Sequence, residues 1–312
     1  MALSARRLGK AMSDHARKRI PTLRAYPTVD TWMNPLTRGV ARHFANQAWV
    51  DAQAELDFTY RLSDLDIAGQ PCLRYETEKT RESETLILYV HGGGLVSGSP
   101  RVNASMILPT CQLSGIEAIG AGYTLLPEAR FPAQIEEIDR IYKALRAERP
   151  NARFVLFGDS MGGAVALSAL LRWRDEALPL PEKLILISPV LDGAGASDTH
   201  TTLDGHDPLM RSNGGRNCRR LFNFYAPGED LKNPMVSPLY GDFRGLPPML
   251  IHVGSREILL GDAARLAEAA RRAGVSSQLR VFDGMYHLFH MHWSLPEAKA
   301  AHSDIADFIC ER

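Results

Sequence analysis

Short, uninterrupted apolar runs alternate with helix-like segments along most of this chain. The apolar runs occupy residues 85–90, 116–123, 154–157, 183–188 and 248–254, and a strand-like run that is less apolar occupies residues 277–282. Segments with apolar residues at helical spacing lie between and after them, at 133–148, 262–273 and 297–310. Strands that are buried on both faces are apolar throughout, and such strands occur in parallel sheets. The pattern therefore predicts an α/β fold, with a mostly parallel central sheet and helices on both faces.

Two stretches depart from this alternation. Residues 4–53 are predicted to be mostly helical, although Pro21, Pro27 and Pro35 interrupt the pattern. Residues 191–246 are rich in Gly, Asp, Asn and Pro, with one helix predicted around 215–225. We expect a single domain over residues 1–312, with a helical cap formed by about 1–53 and by an insertion at about 191–246.

Composition excludes several classes of protein. The chain has 36 Lys and Arg against 36 Asp and Glu, so overall charge gives no attraction to nucleic acid. No apolar run approaches the length of a membrane span, which argues against stable membrane insertion. The basic N-terminus lacks the apolar core of a secretory signal. The four cysteines are scattered without a Cys-x-x-Cys pair, which favours reduced thiols and a cytoplasmic location.

The apolar run at 154–157 leads directly into Gly-Asp-Ser-Met-Gly at residues 158–162, and good helix formers follow. A strand, a sharp turn and a helix in this order are typical of a nucleophile elbow, with Ser160 at the N-terminus of the helix. The motif alone is weak, since a glycine-rich turn after a core strand would look the same. The motif indicates a catalytic serine only if the chain also contains residues that would activate that serine.

A nucleophilic serine needs a base, and the base needs a third group to orient it. In this fold the expected chain order is serine, acid, histidine. His287 follows the run at 277–282 and is the predicted base. Glu257 and Asp262 both follow the run at 248–254; Glu257 is the predicted acid because it is nearer to the strand. Asp262 is predicted to cap a helix that begins near residue 263, but it stays an alternative acid.

His290 and His292 lie close to His287, so a metal site is another interpretation of this cluster. No matching carboxylate or cysteine pattern lies nearby. We therefore expect no metal and no organic cofactor.

His-Gly-Gly-Gly at residues 91–94 follows the apolar run at 85–90. Glycine lets a substrate approach the main chain closely, and main-chain amides stabilise the oxyanion of acyl transfer. We predict an oxyanion hole formed by the amides of Gly92, Gly93 and Met161. His91 and Gly94 are predicted to support it. A flexible turn is the alternative interpretation of these glycines.

Taken together, the motifs at 91–94 and 158–162 and the stretch Tyr-Thr-Leu-Leu-Pro-Glu at 123–128 resemble those of the bacterial hormone-sensitive lipase family of α/β-hydrolases. The resemblance extends from about Leu86 to the C-terminus. It implies the α/β-hydrolase fold and a serine carboxylesterase that acts on short-to-medium acyl esters through an acyl-enzyme, with the triad Ser160, Glu257 and His287. Asp159 matches the acidic elbow residue and is expected to brace the loop.

The resemblance also leaves features open. Met161 stands where the family usually has Ala, which bears on the size of the pocket. Apolar side chains of the insertion are candidates for lining the pocket, although ordinary packing would also explain them: Leu209, Met210, Leu221, Phe222, Phe224 and Tyr225, with Met210, Phe222 and Tyr225 as the named predictions. The family resemblance is compatible with a homodimer.

The same catalytic residues would serve a lactonase, an acetylhydrolase or an amidase, and the sequence does not separate these. A small-molecule receptor on this fold is a further alternative, as in relatives that lose the catalytic histidine. Retention of His287 and Glu257 argues against it.

Overall fold

A nine-stranded sheet forms the centre of the molecule. The computed structural model describes residues 4–8, 12–23 and 27–311. The strands, in chain order, are β1 (Ser4–Leu8), β2 (Tyr60–Ile67), β3 (Gln70–Thr77), β4 (Thr85–Val90), β5 (Ala118–Ala121), β6 (Arg153–Asp159), β7 (Lys183–Ile187), β8 (Met249–Gly254) and β9 (Ser277–Phe282). Across the sheet they lie in the order β1-β9-β8-β7-β6-β4-β5-β3-β2.

The sheet is parallel from β1 to β5, whereas β3 pairs antiparallel with both β5 and β2. Every residue of β4 and of β8 is buried, which explains their uniformly apolar sequences. The β2–β3 hairpin instead has partly exposed strands. The predicted α/β fold with a mostly parallel sheet is confirmed.

Helices cover both faces of the sheet. They are α1 (Asp14–Arg19), α2 (Val29–Met33), α3 (Pro35–Gln53), α4 (Ala104–Ser114), α5 (Ala133–Glu148), α6 (Ser160–Asp175), α7 (Thr199–Thr202), α8 (Arg216–Tyr225), α9 (Leu260–Arg272) and α10 (Pro296–Cys310). Residues of α5, α6 and α9 share one hydrophobic cluster, and those of α4 and α10 share another. The two clusters lie on opposite faces of the sheet.

The structure differs from the sequence prediction at three elements. Residues 4–8 form a strand on the edge of β9, where a helix was expected. Helix α4 was not predicted, because Pro109 inside it interrupts the helical pattern. The strand predicted over 116–123 is shorter, Ala118–Ala121. Parts of the predicted N-terminal cap, at residues 1–3, 9–11 and 24–26, lie outside the described residues.

The N-terminal helices and the insertion meet. Asp30 of α2 forms an ion pair with Arg220 of α8, and both elements contribute side chains to one cavity described below. None of the helices in the described part of the chain combines the length and the apolar character that crossing a membrane requires.

Candidate active site

Ser160 lies at the sharp turn between β6 and α6. Its φ is +51°, a left-handed conformation that is uncommon for a residue with a side chain. The neighbouring glycines are required by close packing. A Cβ atom at Gly162 would collide with the carbonyl oxygens of Val90 and His91, and one at Gly158 would lie 2.8 Å from the Cα of Gly163. The turn has the geometry expected of a nucleophile elbow.

The side chains of Ser160, His287 and Glu257 form a continuous chain of hydrogen bonds. The Ser160 Oγ lies 3.1 Å from Nε2 of His287, and Nδ1 of His287 lies 2.9 Å from Oε2 of Glu257. All three residues are buried. Because the carboxylate accepts the proton on Nδ1, Nε2 is left to accept the proton of the serine hydroxyl.

Glu257 is itself held by two further donors. Its Oε1 accepts the hydroxyl of Ser188 at 2.8 Å and the amide of Gly254 at 2.6 Å. The acid therefore cannot rotate away from the histidine without losing several hydrogen bonds. The sequence did not single out Ser188, although its place directly after β7 is the one signal that could have suggested it.

Asp262, the alternative acid, lies elsewhere. It accepts the amides of Leu191 at 3.3 Å and Asp192 at 3.2 Å and the hydroxyl of Ser197. The prediction that it caps a helix is wrong, because α9 begins at Leu260 and its N-cap is Leu259. Burial raises the pKa of Asp262 to about 6. The structure thus places Glu257, and not Asp262, against the histidine.

The environment of His287 favours its protonated form. Burial alone would lower its pKa, but the hydrogen bond and the charge of Glu257, with smaller contributions from Asp207 and Asp159, raise the pKa above its ordinary value. An imidazole in this position is well suited to take up a proton from Ser160, because the imidazolium that results is stabilised by the carboxylates around it.

The glycine loop after β4 does not support one of the residues predicted for the oxyanion hole, Gly92. The Gly92 amide donates to Oδ1 of Asp159 at 3.0 Å, so it is not available to a substrate, contrary to the prediction. Gly93 and Gly94 line the cavity beside Ser160. Within the described residues, neither of their amides donates a hydrogen bond. Met161 lies in the first turn of α6, where amides have no partner inside the helix.

Asp159 and His91 brace this loop. Asp159 accepts the Tyr89 hydroxyl at 2.7 Å as well as the Gly92 amide, and burial raises its pKa to about 6. The His91 ring stacks on Tyr123 at 4.3 Å, and its Nδ1 lies 2.7 Å from the carbonyl oxygen of Gly92. Burial lowers the pKa of His91 to about 4, so the ring is neutral and Nδ1–H donates.

A mostly apolar cavity of about 180 Å³ opens onto Ser160. Its walls come from the glycine loop, α2, the insertion and the segment after β8: Pro27, Thr28, Val29, Trp32, Gly93, Gly94, Val96, Met161, Val190, His200, Leu209, Met210, Arg211, Asn217, Cys218, Leu221, Ile258, Leu259, His287 and Leu288. Such a site fits a small, largely apolar ligand with one polar group at the serine.

The predicted pocket residues divide into two groups. Met210 lines the cavity, and so do Leu209 and Leu221. Phe222 and Tyr225 do not line it; both are buried in the core, where the Tyr225 ring packs edge-on against Phe131 at 5.7 Å. The predictions that Phe222 and Tyr225 line the pocket are therefore wrong.

One residue of the site had no signal in the sequence. Asp207, in the loop between α7 and α8, is fully buried. Its Oδ2 accepts the main-chain amide of His287 at 2.8 Å, and its Oδ1 accepts the amide of Leu209 at 2.7 Å. Burial first, and then the charge of Glu257, raise the pKa of Asp207 to about 6.

The neighbouring histidines turn away from Ser160. His290 Nε2 lies 3.2 Å from Nδ1 of His252, and His292 Nδ1 lies 3.3 Å from Glu55. Among the residues that the structure describes, no group of His, Cys, Asp or Glu is arranged to hold a metal ion.

Comparisons with known proteins show the family of the chain. Residues 87–291 match the α/β hydrolase fold family. The chain is 34% identical to an acetyl-hydrolase of Streptomyces hygroscopicus over 74% of this chain and 77% of that protein. It is 34% identical to an esterase of Acinetobacter venetianus over 80% of this chain and 82% of that protein.

Solved structures are also similar. One, an esterase from the bacterial hormone-sensitive lipase family, is 31% identical, covers 96% of this chain and 98% of its own, and superposes with a TM-score of 0.85. The chain therefore belongs to the α/β hydrolase fold family and, within it, to the bacterial hormone-sensitive lipase family of esterases.

Proposed function

We propose that this protein is a serine carboxylic-ester hydrolase that acts on short-to-medium acyl esters through an acyl-enzyme on Ser160. The observation that carries the proposal is the hydrogen-bonded chain from Ser160 Oγ through His287 to Glu257, which ends at an apolar cavity. Esterase relatives over most of the chain support the reaction class.

In the acylation half-reaction, Nε2 of His287 takes the proton of Ser160 while Oγ attacks the ester carbonyl carbon. The carbonyl oxygen becomes negative and accepts hydrogen bonds from the amides of Gly93, Gly94 and Met161. Each donor of this kind contributes about 3 kcal/mol to transition-state stabilisation. When the tetrahedral intermediate collapses, the C–O bond to the alcohol breaks, and His287 gives its proton to the departing alkoxide.

Deacylation uses the same groups. A water molecule gives a proton to Nε2 of His287 and attacks the acyl carbon, and the same amides hold the second oxyanion. The ester bond to Ser160 then breaks, the serine regains its proton from His287, and the carboxylic acid leaves. Every proton transfer is accounted for by His287, so the mechanism uses no metal or organic cofactor.

The cavity suggests the size of the substrate. We propose that the N-terminal helices and the insertion act as a cap, because Trp32 of α2 and Leu221 of α8 both line the cavity above Ser160. A volume of about 180 Å³ accommodates a short acyl chain. Met161 and Met210 add bulk beside the serine, which further favours small substrates.

An acetylhydrolase is the second candidate. It is favoured by the small cavity and by relatives named acetyl-hydrolase, including one from Mycobacterium tuberculosis that is 32% identical over 86% of this chain and 86% of its own. In that case the physiological substrate carries an acetyl group on a larger alcohol. The intact contact between Ser160 and His287 favours turnover over a receptor role.

We also propose a reducing, cytoplasmic environment and a homodimer. Free thiols support the first: Cys72, Cys111 and Cys218 are buried without a disulfide, and Cys310 is exposed. Family membership supports the second, and the outer edge of β2 at the end of the sheet offers an interface. Cell fractionation and light scattering test these two statements separately.

Hydrolysis of a p-nitrophenyl ester series, from acetate to long acyl chains, tests the proposed function. We expect turnover of the short esters by the wild type and loss of turnover in Ser160→Ala. A peak at acetate that persists when the acetyl group is carried by larger alcohols would select the acetylhydrolase. A folded wild type that hydrolyses none of these esters would contradict the proposal.

A further inference from the structure

Exposed large apolar side chains are concentrated in one part of the molecule. Six such side chains are found among the described residues, and five of them lie between residues 33 and 50: Met33, Leu36, Val40, Phe44 and Val50, with Leu113 the sixth. Isolated apolar residues on a protein surface are normal, but a cluster of them marks an interaction surface. Ordinary packing therefore does not explain why α2 and α3 expose so many apolar side chains.

The spacing of these residues places them on one face. Leu36, Val40 and Phe44 are four residues apart on α3, so their side chains form a row on the helix. Leu36 is 89% exposed and Phe44 is 67% exposed. The opposite face carries Ala41, Ala45 and Trp49, which are buried against the domain. A surface helix with one buried face normally has a polar outer face. Here the first turns of the outer face are apolar as well, at Leu36, Val40 and Phe44. Together with Met33 at the end of α2, we name these residues the apolar stripe.

The apolar stripe adjoins the entrance to the cavity. Val29 and Trp32 of α2 line the cavity, and Met33 follows directly in the chain. Helix α3 is fixed to the same region by Arg42, whose Nε donates to the carbonyl oxygen of Val96 at 2.6 Å. Val96 lines the cavity too. A surface that covers the stripe therefore lies beside the opening to Ser160.

We propose that the apolar stripe docks on a lipid–water surface and that the enzyme takes ester substrates from aggregated lipid. This inference rests on the proposed ester hydrolysis only for the identity of the substrate. Leu and Phe on an outward helix face insert readily into the boundary between headgroups and acyl chains. Docking at the stripe would bring the cavity opening to that boundary.

A second copy of the chain is a less suitable partner for the apolar stripe than a lipid surface. Stable interfaces bury about 800 Å² on each partner, whereas three side chains on α3 and one at the end of α2 offer only the few hundred Å² of a typical functional patch. A second copy seated on the stripe would also lie beside the cavity opening and hinder entry of the substrate.

The stripe itself carries no charged side chain, and two ion pairs lie near it. Arg42 pairs with Glu128 at 2.9 Å, and Arg220 pairs with Asp30. Docking should therefore depend on apolar contact, and its strength should change little with salt or with the charge of the lipid. Zwitterionic phosphatidylcholine vesicles are the appropriate probe.

The binding experiment uses Ser160→Ala protein, so that hydrolysis does not enter the measurement. Flotation with phosphatidylcholine vesicles compares three proteins: this parent, the parent with Leu36→Ser, Val40→Ser and Phe44→Ser, and the parent with Leu113→Ser as a matched apolar-to-polar control. We expect the triple variant to lose vesicle affinity by about tenfold or more, and the Leu113→Ser protein to bind like the parent. Absence of parent binding, or equal binding by the triple variant, would overturn the proposal.

Two further measurements keep the test clear. Leu36→Ser alone, at a side chain that is 89% exposed, serves as the readout if the triple variant does not fold, and it should also weaken flotation. Light scattering gives the oligomeric state, and a change in mass caused by the stripe substitutions would overturn the proposal in favour of an interface between copies.

Activity separates this inference from the proposed function. With Ser160 intact, the stripe variant should hydrolyse dissolved p-nitrophenyl acetate at the parent rate and an emulsified short-chain triacylglycerol, such as tributyrin, more slowly. Equal loss on both substrates would contradict lipid docking. If the parent hydrolyses neither ester yet floats with vesicles through the stripe, the proposed function fails and the docking surface stands.

Discussion

The carboxylate of Asp207 accepts the main-chain amide of His287 at 2.8 Å. This bond joins the insertion after β7 to the loop that carries the proposed base. The same carboxylate accepts the amide of Leu209, which lines the cavity. Asp207 therefore holds the base and one wall of the pocket in a fixed relation, although it does not contact the reacting atoms.

Replacing Asp207 with Ala should lower kcat more than it raises KM. The buried amides of His287 and Leu209 would lose their acceptor, at a cost of about 1–3 kcal/mol for an unsatisfied group. Asp207→Asn keeps one acceptor oxygen and should recover part of the rate. Steady-state kinetics of both variants on p-nitrophenyl butyrate check this prediction. An unchanged kcat in the Ala variant would show that Asp207 does not position the base.

The pH profile of Asp207→Asn gives an independent readout. The charge of Asp207 helps to raise the pKa of His287, so its removal should lower that pKa. Because His287 must be neutral to accept the proton of Ser160, the acidic limb of kcat/KM should move to lower pH. A limb that stays in place, or moves to higher pH, would contradict the assigned role.

Glu257→Gln and Asp262→Asn should have different effects. The Gln amide would oppose the tautomer of His287 that catalysis needs, and kcat should fall by about 10³- to 10⁴-fold. Asp262→Asn should leave kcat within a few-fold of the wild type, because Asp262 contacts the main chain of Leu191 and Asp192 rather than the histidine. Parallel kinetics on one substrate decide between the two acids, and the reverse pattern would restore Asp262 as the acid.

Met161→Ala should shift the preference toward longer acyl chains. The Met161 side chain lines the cavity beside Ser160, and its removal opens space without removing the main-chain amide. The ratio of kcat/KM for p-nitrophenyl octanoate to that for the acetate should rise. Leu221→Ala is a matched control, since it enlarges the same cavity from α8. An identical chain-length profile in Met161→Ala would show that another wall limits the acyl group.

Stability should fall on acidification, because buried histidines are held neutral. Burial lowers the pKa of His91 and of His302 to about 4, below the ordinary value of 6.5. Unfolding at pH values between these two then takes up protons. Their contribution to stability is present above about pH 6.5 and is lost as the pH falls toward about 4. Thermal unfolding from pH 7 to pH 4.5 should show a falling Tm.

Over part of this pH range, buried carboxyl groups change the stability in the opposite direction. Asp262 has its pKa raised to about 6, so its contribution is largest below its unfolded value and is lost as the pH rises through about 6. Asp262→Asn removes this opposing effect. The fall of Tm on acidification should therefore be steeper in Asp262→Asn than in the wild type, and a shallower fall would contradict the assignment of the raised pKa.

The sequence predicted the parts of the site that depend on local order along the chain. Ser160, Glu257 and His287 each follow a strand of the parallel sheet, and parallel strands bring their carboxyl ends to one edge of the sheet. The same reasoning does not tell which glycine amide is free. Gly92 donates to Asp159, which is 67 positions away in the chain, whereas the amides of Gly93 and Gly94 donate no hydrogen bond within the described residues. That outcome depends on a long-range side-chain contact.

The other predictions that were wrong or missing have similar physical causes. Helix α8 is amphipathic, and its one apolar face is shared between the cavity and the core. Only packing decides that Leu221 faces the cavity while Phe222 and Tyr225 face the core. Asp207 lies in an irregular loop, 80 positions from the amide that it holds. Residues 4–8 form a strand because the edge of β9 accepts them, which local propensity does not predict.

The most direct test of the account is stoichiometric labelling with a p-nitrophenyl alkylphosphonate, which a nucleophilic serine attacks in place of an ester. We predict release of one p-nitrophenolate per chain, a single covalent phosphonyl group on Ser160 by peptide mass mapping, and much slower labelling in His287→Ala. The absence of labelling in folded protein, or a label on another residue, would contradict the central claim that Ser160 is the nucleophile.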